Sequence, residues 1–559
     1  MLMWVAKVAA TCCCNGVSHM TEVSHMTELI EQVENLAREF AARGATAGTL
    51  EMHHNAVGGY GARAHGSIGT LMLPRQWPDT AAISAAVRAE LGVNTDADDM
   101  VQMRLRVRGD SYEFQYRCQS QHYENELGWD FTRQVICDPT YRYPGHAVPS
   151  PVDENPDGRT TDPGLVATVA ELVREYVELR TRQDGHAPQL GAGITETEIA
   201  AAESRIGFRL PEELRALYRV VGYDDDDQGL MAFTALRPLA TVAATHLNDD
   251  IEVADHYGAG TVGAWRDSLF AGLGRTVLES WPHGVVRRIS RSPKWVIIGS
   301  SGRDVTAVDL DPGPIGVSGQ VIEFEPDGLD AAVRRDDSVL AMLRRTVESL
   351  RVGESVWEYY DTEIADHPNE HAHLRGAGES VAELPGAIAV QSLTVDGRDS
   401  FDAAELAALP LLRQLQVRGV ESVQLSVPHT VPLEQLDLTA PRIELEPLAG
   451  HPVLWDLSLS GATGPVHIAP LATLPSLQRL DISEIEVFDL EAVAALPALR
   501  VLVATVRQWR LLRDRDAVPA GLAAAELVGD AAFDDEIAWA AGFGVNPGTA
   551  SLPIMRGTL

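Results

Sequence analysis

Between Val390 and Ala504 one pattern, apolar-x-x-Leu-x-apolar, starts at Val390, Leu412, Leu433, Leu454, Leu477 and Leu499, with spacings of 22, 21, 21, 23 and 22 residues. A unit that short cannot bury its own leucines, so successive units must stack, share one core and use the outermost units as caps. The inward pairs are Leu393 and Val395, Leu415 and Val417, Leu436 and Leu438, Leu457 and Leu459, Leu480 and Ile482, with Leu502 and an imperfect Ala504 closing the series. Segments rich in Ala, Leu and Pro, such as Leu471 to Pro475 and Ala495 to Pro497, precede the strands and predict short helical returns.

Strand alternation sends the intervening residues to the opposite face. One column is Gln414, Gln435, Asp456 and Arg479; the next is Gln416, Asp437, Ser458 and Asp481. Gln416, Asp437, Asp456, Ser458, Arg479 and Asp481 are therefore candidate partner-binding residues on a concave face, although a merely solvated face would be polar too. Residues 386–505 hold 15 acids and 6 bases, which would steer a basic partner toward them. The region resembles leucine-rich repeats over residues 385–510, without the usual Asn after the strand. Residues 511–559 read as a C-terminal cap or tail.

The chain has 559 residues and a net charge of −35, so its surface would repel a phosphate backbone and nucleic acid is not an expected partner. Its length suits three or four domains. Five cysteines, at 12 to 14, 118 and 137, have neither zinc spacing nor the density of a disulfide framework, and no apolar run is long enough to span a bilayer. A cytoplasmic protein is expected. Met1 to Gly16 makes a poor signal peptide, and VSHMTE occurs twice in succession, so residues 1–25 read as an extension that translation could skip by starting at Met20 or Met26.

Residues 26–145 predict an α+β domain: an amphipathic helix through Leu29, Val33, Leu36 and Phe40, a second over Ala81 to Leu91, and strands Val101 to Arg108 and Tyr112 to Arg117 around Gly109-Asp110. Gly59, Gly61 and Ala64 fit a GxGxxA phosphate turn in spacing but not in context, since no amphipathic helix begins there. Position and pattern are loosely similar to small bacterial immunity domains of the YezG type. Residues 146–162, rich in Pro and Asp, read as a linker.

In the segment 163–350, Thr195 and Glu198 have capping-box spacing, Ile194 can staple onto Ile199, Gly207 can stop the helix, and Pro211 opens a second helix through Leu214, Leu217, Tyr218 and Val221. Lys294 to Gly299, Val305 to Asp311 and Gly319 to Phe324 predict an antiparallel sheet. The order of Glu203, Gly207, Leu210, Pro211, Trp295, Gly302, Asp304, Asp309 and Gly319 resembles the SUKH superfamily of the Smi/Knr type. Val221-Gly222-Tyr223 departs from the Asn-Gly-Gly usual there. The resemblance implies a protein-binding α+β domain without catalysis, in bacteria commonly an immunity protein against toxins, in fungi a coordinator of cell-wall synthesis and signalling. The residues themselves have plainer readings: Glu203 on a solvated helix face, Trp295 in a core, Asp309 at a strand end. Asp224 to Asp227 read as a solvated loop rather than a calcium site.

Residues 351–384, with His371 and His373 in an acidic stretch after Pro368, read as a mobile linker; a His-x-His metal pair would need a strand there. No HExxH, GxSxG, Walker loop or zinc-deaminase motif is present, so neither enzyme activity nor a cofactor or metal is expected. The sequence thus predicts a multidomain α+β binding protein, an immunity protein that occludes a basic toxin domain, with a regulatory scaffold for wall synthesis and signalling as the alternative.

Overall fold

A computed structural model of the chain describes residues 19–42, 47–54, 60–66, 80–91, 101–118, 133–138, 140–144, 159–224, 229–231, 234–246, 280–289, 292–301, 304–324, 332–353, 371–375, 379–529, 531–544 and 554–559. The readings placed on residues 1–16, Gly59, Asp225 to Asp227, Gly302 and Pro368 lie outside them, and Asp224, read as solvated, is instead buried and accepts from Leu230 N at 2.7 Å. The chain divides into two units, residues 1–135 with 530–559, and residues 136–529.

In the first unit the alternation of VQMRLRVR sets the architecture. Its elements are α1 (His19–Ala42), β1 (Ala47–His54), β2 (Tyr60–Gly66), α2 (Thr80–Leu91), β3 (Val101–Arg108) and β4 (Ser111–Cys118). The sheet runs β2-β1-β3-β4, antiparallel throughout, and a last strand, Ile554–Thr558, adds to β4. Val101, Met103, Leu105 and Val107 pack against Leu29, Val33, Leu36 and Phe40 of α1 and Ile83 and Val87 of α2. Arg104 and Arg106 alternate with them and are also buried, because the helix Phe533–Ala541 brings Glu536 to them. Glu536 Oε2 lies 3.1 Å from Arg104 Nη1, and Oε1 lies 2.6 Å from Arg106 Nη2 and 2.8 Å from Arg133 Nε. Burial works against the Glu536 charge, but the three guanidiniums outweigh it and hold the carboxyl down at about 2. One expectation is corrected here. Residues 531–559 are no terminal tail but part of the first unit. Gly61 and Ala64, whose phosphate-turn reading the sequence context already set aside, lie within β2.

The second unit opens with α3 (Pro163–Asp184), α4 (Glu196–Ile206), α5 (Glu212–Val220) and α6 (Leu239–Thr245). The capping box of Thr195 and Glu198 is formed, and Gly207 ends α4 at φ 95°, a left-handed conformation that a Cβ would resist. Strands β5 (Trp295–Ser301), β6 (Asp304–Asp309), β7 (Gln320–Phe324) and β8 (Ala332–Asp336) form the centre of a six-stranded sheet, and α7 (Val339–Val352) follows. Val296, Ile298, Val308 and Val321 meet the helices; Trp295, Ile297, Val305, Ile322 and Phe324 form a core on the other face with Val285 and Val286.

The repeat region is a parallel sheet of strands Ser392–Asp396, Gln414–Arg418, Gln435–Thr439, Asp456–Ser460, Arg479–Glu484 and Val501–Thr505, in sequence order. Their inward leucines and valines are buried, and 3-10 turns such as Ala403–Ala408, Ala469–Thr473 and Leu490–Ala495 carry the chain back. Glycines 397, 419, 461 and 529 follow strands directly at φ of 65°, 61°, 76° and 86°, turning the chain where an Asn was missed. The sheet extends beyond both predicted ends. Ala524–Val528 adds after Val501–Thr505, and His371–Arg375 pairs in parallel with Ser392–Asp396. The reading of 351–384 as linker is therefore corrected for its second half: His371 to Arg375 is a strand, burying Ala372 and Leu374 and exposing His371 and His373.

Candidate partner-binding surface

The family-signature residues assemble into two buried polar knots. In the first, the Glu203 side chain, 1 % exposed, accepts from Leu210 N at 2.8 Å and from Arg215 Nη1 at 2.5 Å, so α4, the Gly207 turn and α5 close on one carboxylate. Arg215, 2 % exposed, also donates to Glu196 Oε2 at 2.7 Å and to the Thr161 hydroxyl at 3.2 Å. Pro211 is the cap residue of α5 and Leu210 is in the core. The reading of Glu203 as a solvated residue is overturned, because Arg215 is aimed at it from the next helix.

In the second knot Asp309, wholly buried, accepts from Gln320 Nε2 at 2.8 Å and from Asp311 N at 2.8 Å. Burial pushes its carboxyl up to about 6, against those hydrogen bonds. Gly319 donates its amide to Asp309 O at 2.7 Å with φ 94°, and Trp295 packs on Phe324 with ring centroids 5.1 Å apart. Gln320 Nε2 also donates to Val285 O at 3.0 Å, which anchors the loop 282–289 beneath this turn.

That loop reaches the repeats. Arg288 pairs with Glu434 through both carboxylate oxygens at 2.9 Å; Arg413 reaches the same carboxylate at 3.0 Å, and the Trp455 indole donates to it at 3.3 Å. His283, in the same loop, is held below its ordinary pKa by burial and by the charges of Arg413 and Arg288.

On the strand face the two predicted columns have different fates. In the first, Gln414 donates to Gln435 at 2.8 Å, Gln435 donates to Asp456 at 3.1 Å, and Arg479 donates to Asp456 at 3.0 Å and to the Ser458 hydroxyl at 3.1 Å. Asp456 and Arg479 are 0 % and 4 % exposed, so neither is an open contact residue as expected. Tyr143 stacks on Trp455 with centroids 5.2 Å apart and is buried with it. In the second column Gln416, Asp437, Ser458 and Asp481 are half-buried and partly open. Tyr141, Tyr143, Arg288, Glu434, Trp455, Gln478 and Arg500 were missed; for Glu434, Trp455, Gln478 and Arg500 the signal was position alone, the residue before a strand of the repeat, and for the other three the sequence carries no periodic signal.

No group of three or more His, Cys, Asp or Glu among the described residues is placed to hold a metal ion. No helix there is long and apolar enough to cross a membrane.

Residues 193–345 match the sequence model of the SMI1/KNR4 family (SUKH-1). This supports the SUKH resemblance for that part of the chain; the match does not reach the stretch with the YezG-type likeness or the repeats. No curated protein matches the chain. Among solved structures, an internalin from Listeria monocytogenes is similar at 18 % identity with a TM-score of 0.19, covering 22 % of this chain; the chain spans 38 % of the internalin's length.

Proposed function

We propose that the chain is a non-catalytic protein-binding protein that neutralises a polymorphic toxin by direct contact, with leucine-rich-type repeats as a second grip beside the SUKH-1 segment. The observation that carries this reading is the family match at 193–345. Its polar signature residues, Glu203 and Asp309, are spent on internal knots that hold turns in place, the arrangement of a rigid presenting scaffold. The acidic excess of the repeat region suits a basic toxin domain.

The test is co-expression with the toxin domain encoded by a neighbouring gene. Rescue of growth, with both proteins recovered as one complex, is expected. Unrelieved toxicity together with no complex would sink the reading and favour the regulatory scaffold, for which loss of the gene should alter cell-wall architecture.

A further inference from the structure

The residues immediately before the second to sixth strands of the repeats form a row along one edge of the sheet: Arg413, Glu434, Trp455, Gln478 and Arg500. The last three are met by one short segment, Cys137 to Tyr143. Asp138 pairs with Arg500 Nη2 at 2.6 Å, the Tyr141 ring lies 5.0 Å from the Arg500 guanidinium, and the Tyr141 hydroxyl donates to Gln478 Oε1 at 2.6 Å. Two residues on, Tyr143 covers Trp455, while the amides of Cys137 and Asp138 share one acceptor, Ala523 O, at 2.7 and 3.0 Å. The segment turns as it crosses them, Tyr141 N donating to Asp138 O at 3.2 Å, and its contacts fall on equivalent positions of successive repeats, so the edge reads a folded chain at the pitch of its own strands.

We propose that this edge is a recognition groove for an acidic-aromatic turn segment of a partner protein, of the form Asp-x-x-Tyr-x-Tyr, which Cys137–Tyr143 occupies in cis. The seated segment states the chemistry of the occupant: a carboxylate for Arg500, a phenol that can stack on that guanidinium and reach Gln478, and a second aromatic ring for Trp455. Cys137 and Thr140 are exposed and Asp138 and Tyr141 only half-buried, so the segment can be exchanged from its solvent side. The proposal does not depend on the partner being a toxin.

The test uses the full chain and a fluorescent peptide of residues 136–144, ICDPTYRYP. The chain carrying Tyr141→Ala and Tyr143→Ala is expected to bind the peptide saturably, at least ten-fold tighter than the unaltered chain, and to lose that binding when Arg500→Glu is added. Equal binding by both chains, or none by either, overturns the proposal. Because Tyr143 is buried, Arg500→Glu alone gives a second reading that leaves the segment intact. Amide exchange over residues 137–143 should quicken about ten-fold with an unchanged melting temperature, and unaltered exchange also overturns it. A concentration-dependent dimer that Arg500→Glu dissolves would assign the groove to a second copy's own segment, overturning a separate partner.

Discussion

Buried acids at two positions show how much one side chain decides. Replacing Glu203 by Ala leaves Arg215 without its most buried acceptor, and removing one partner of such a pair costs about 3–5 kcal/mol. Thr195→Ala, which removes only a cap, costs about 1 kcal/mol. Chemical denaturation of the two variants should rank them in that order; equal losses would mean that Arg215 finds another acceptor. Asp309 carries a pH signature. Its folded carboxyl titrates at about 6, above the ordinary ~3.9, so the native state holds the proton more tightly. Its contribution to stability therefore falls as pH rises from about 4 to about 6, by about 3 kcal/mol, and is level above that. Asp309→Asn should flatten this window in a stability-versus-pH series.

Among the elements, the helix Phe533–Ala541 has the largest leverage on the first unit. Ending the chain after Gly529 removes both Glu536 and the strand that pairs with β4, and leaves Arg104 and Arg106 without their shared carboxylate. Limited proteolysis should then degrade residues up to Val135 while sparing 159–529; a first unit that stays resistant would contradict this. Glu536 has the opposite pH sense from Asp309. Its stabilisation is complete above about 4.5 and is lost as pH falls toward about 2. The sequence made the local elements readable, since the Thr195 box, the Gly207 stop and the leucine period all act within one turn or one repeat. Glu203 was misread because its partner, Arg215, sits on another helix, and helical periodicity cannot say which polar residue a second helix will cover. His371–Arg375 offers only Ala372 and Leu374 as inward positions, and its pairing partner lies some twenty residues on, so alternation there was too faint. Asp456 and Arg479 were placed on the right face, but alternation within one strand cannot say that neighbouring repeats pair them with each other.

Within the second unit as a whole, Arg288 and Glu434 tie the stretch that matches the SMI1/KNR4 model to the repeats. The pair is only partly buried but fully hydrogen-bonded, so a double-mutant cycle with Arg288→Ala and Glu434→Ala should return a coupling of about 1–3 kcal/mol. A coupling near zero would mean that the two parts are joined by chain connectivity alone. With the coupling present, unfolding of residues 159–529 should be one calorimetric transition in the unaltered chain and broaden or split in Glu434→Ala.

The return of the chain's end to its beginning also orders events during synthesis. Domains generally fold as they emerge, first residues first, at about 5–20 residues per second. Here β4 must wait for Phe533 and Ile554, roughly 400 residues later, so Arg104 and Arg106 stand without their carboxylate for about 20–80 s at that rate. A polypeptide released before Phe533 lacks both Glu536 and the strand Ile554–Thr558, so its first unit is expected to be cut by proteases faster than that of the full sequence.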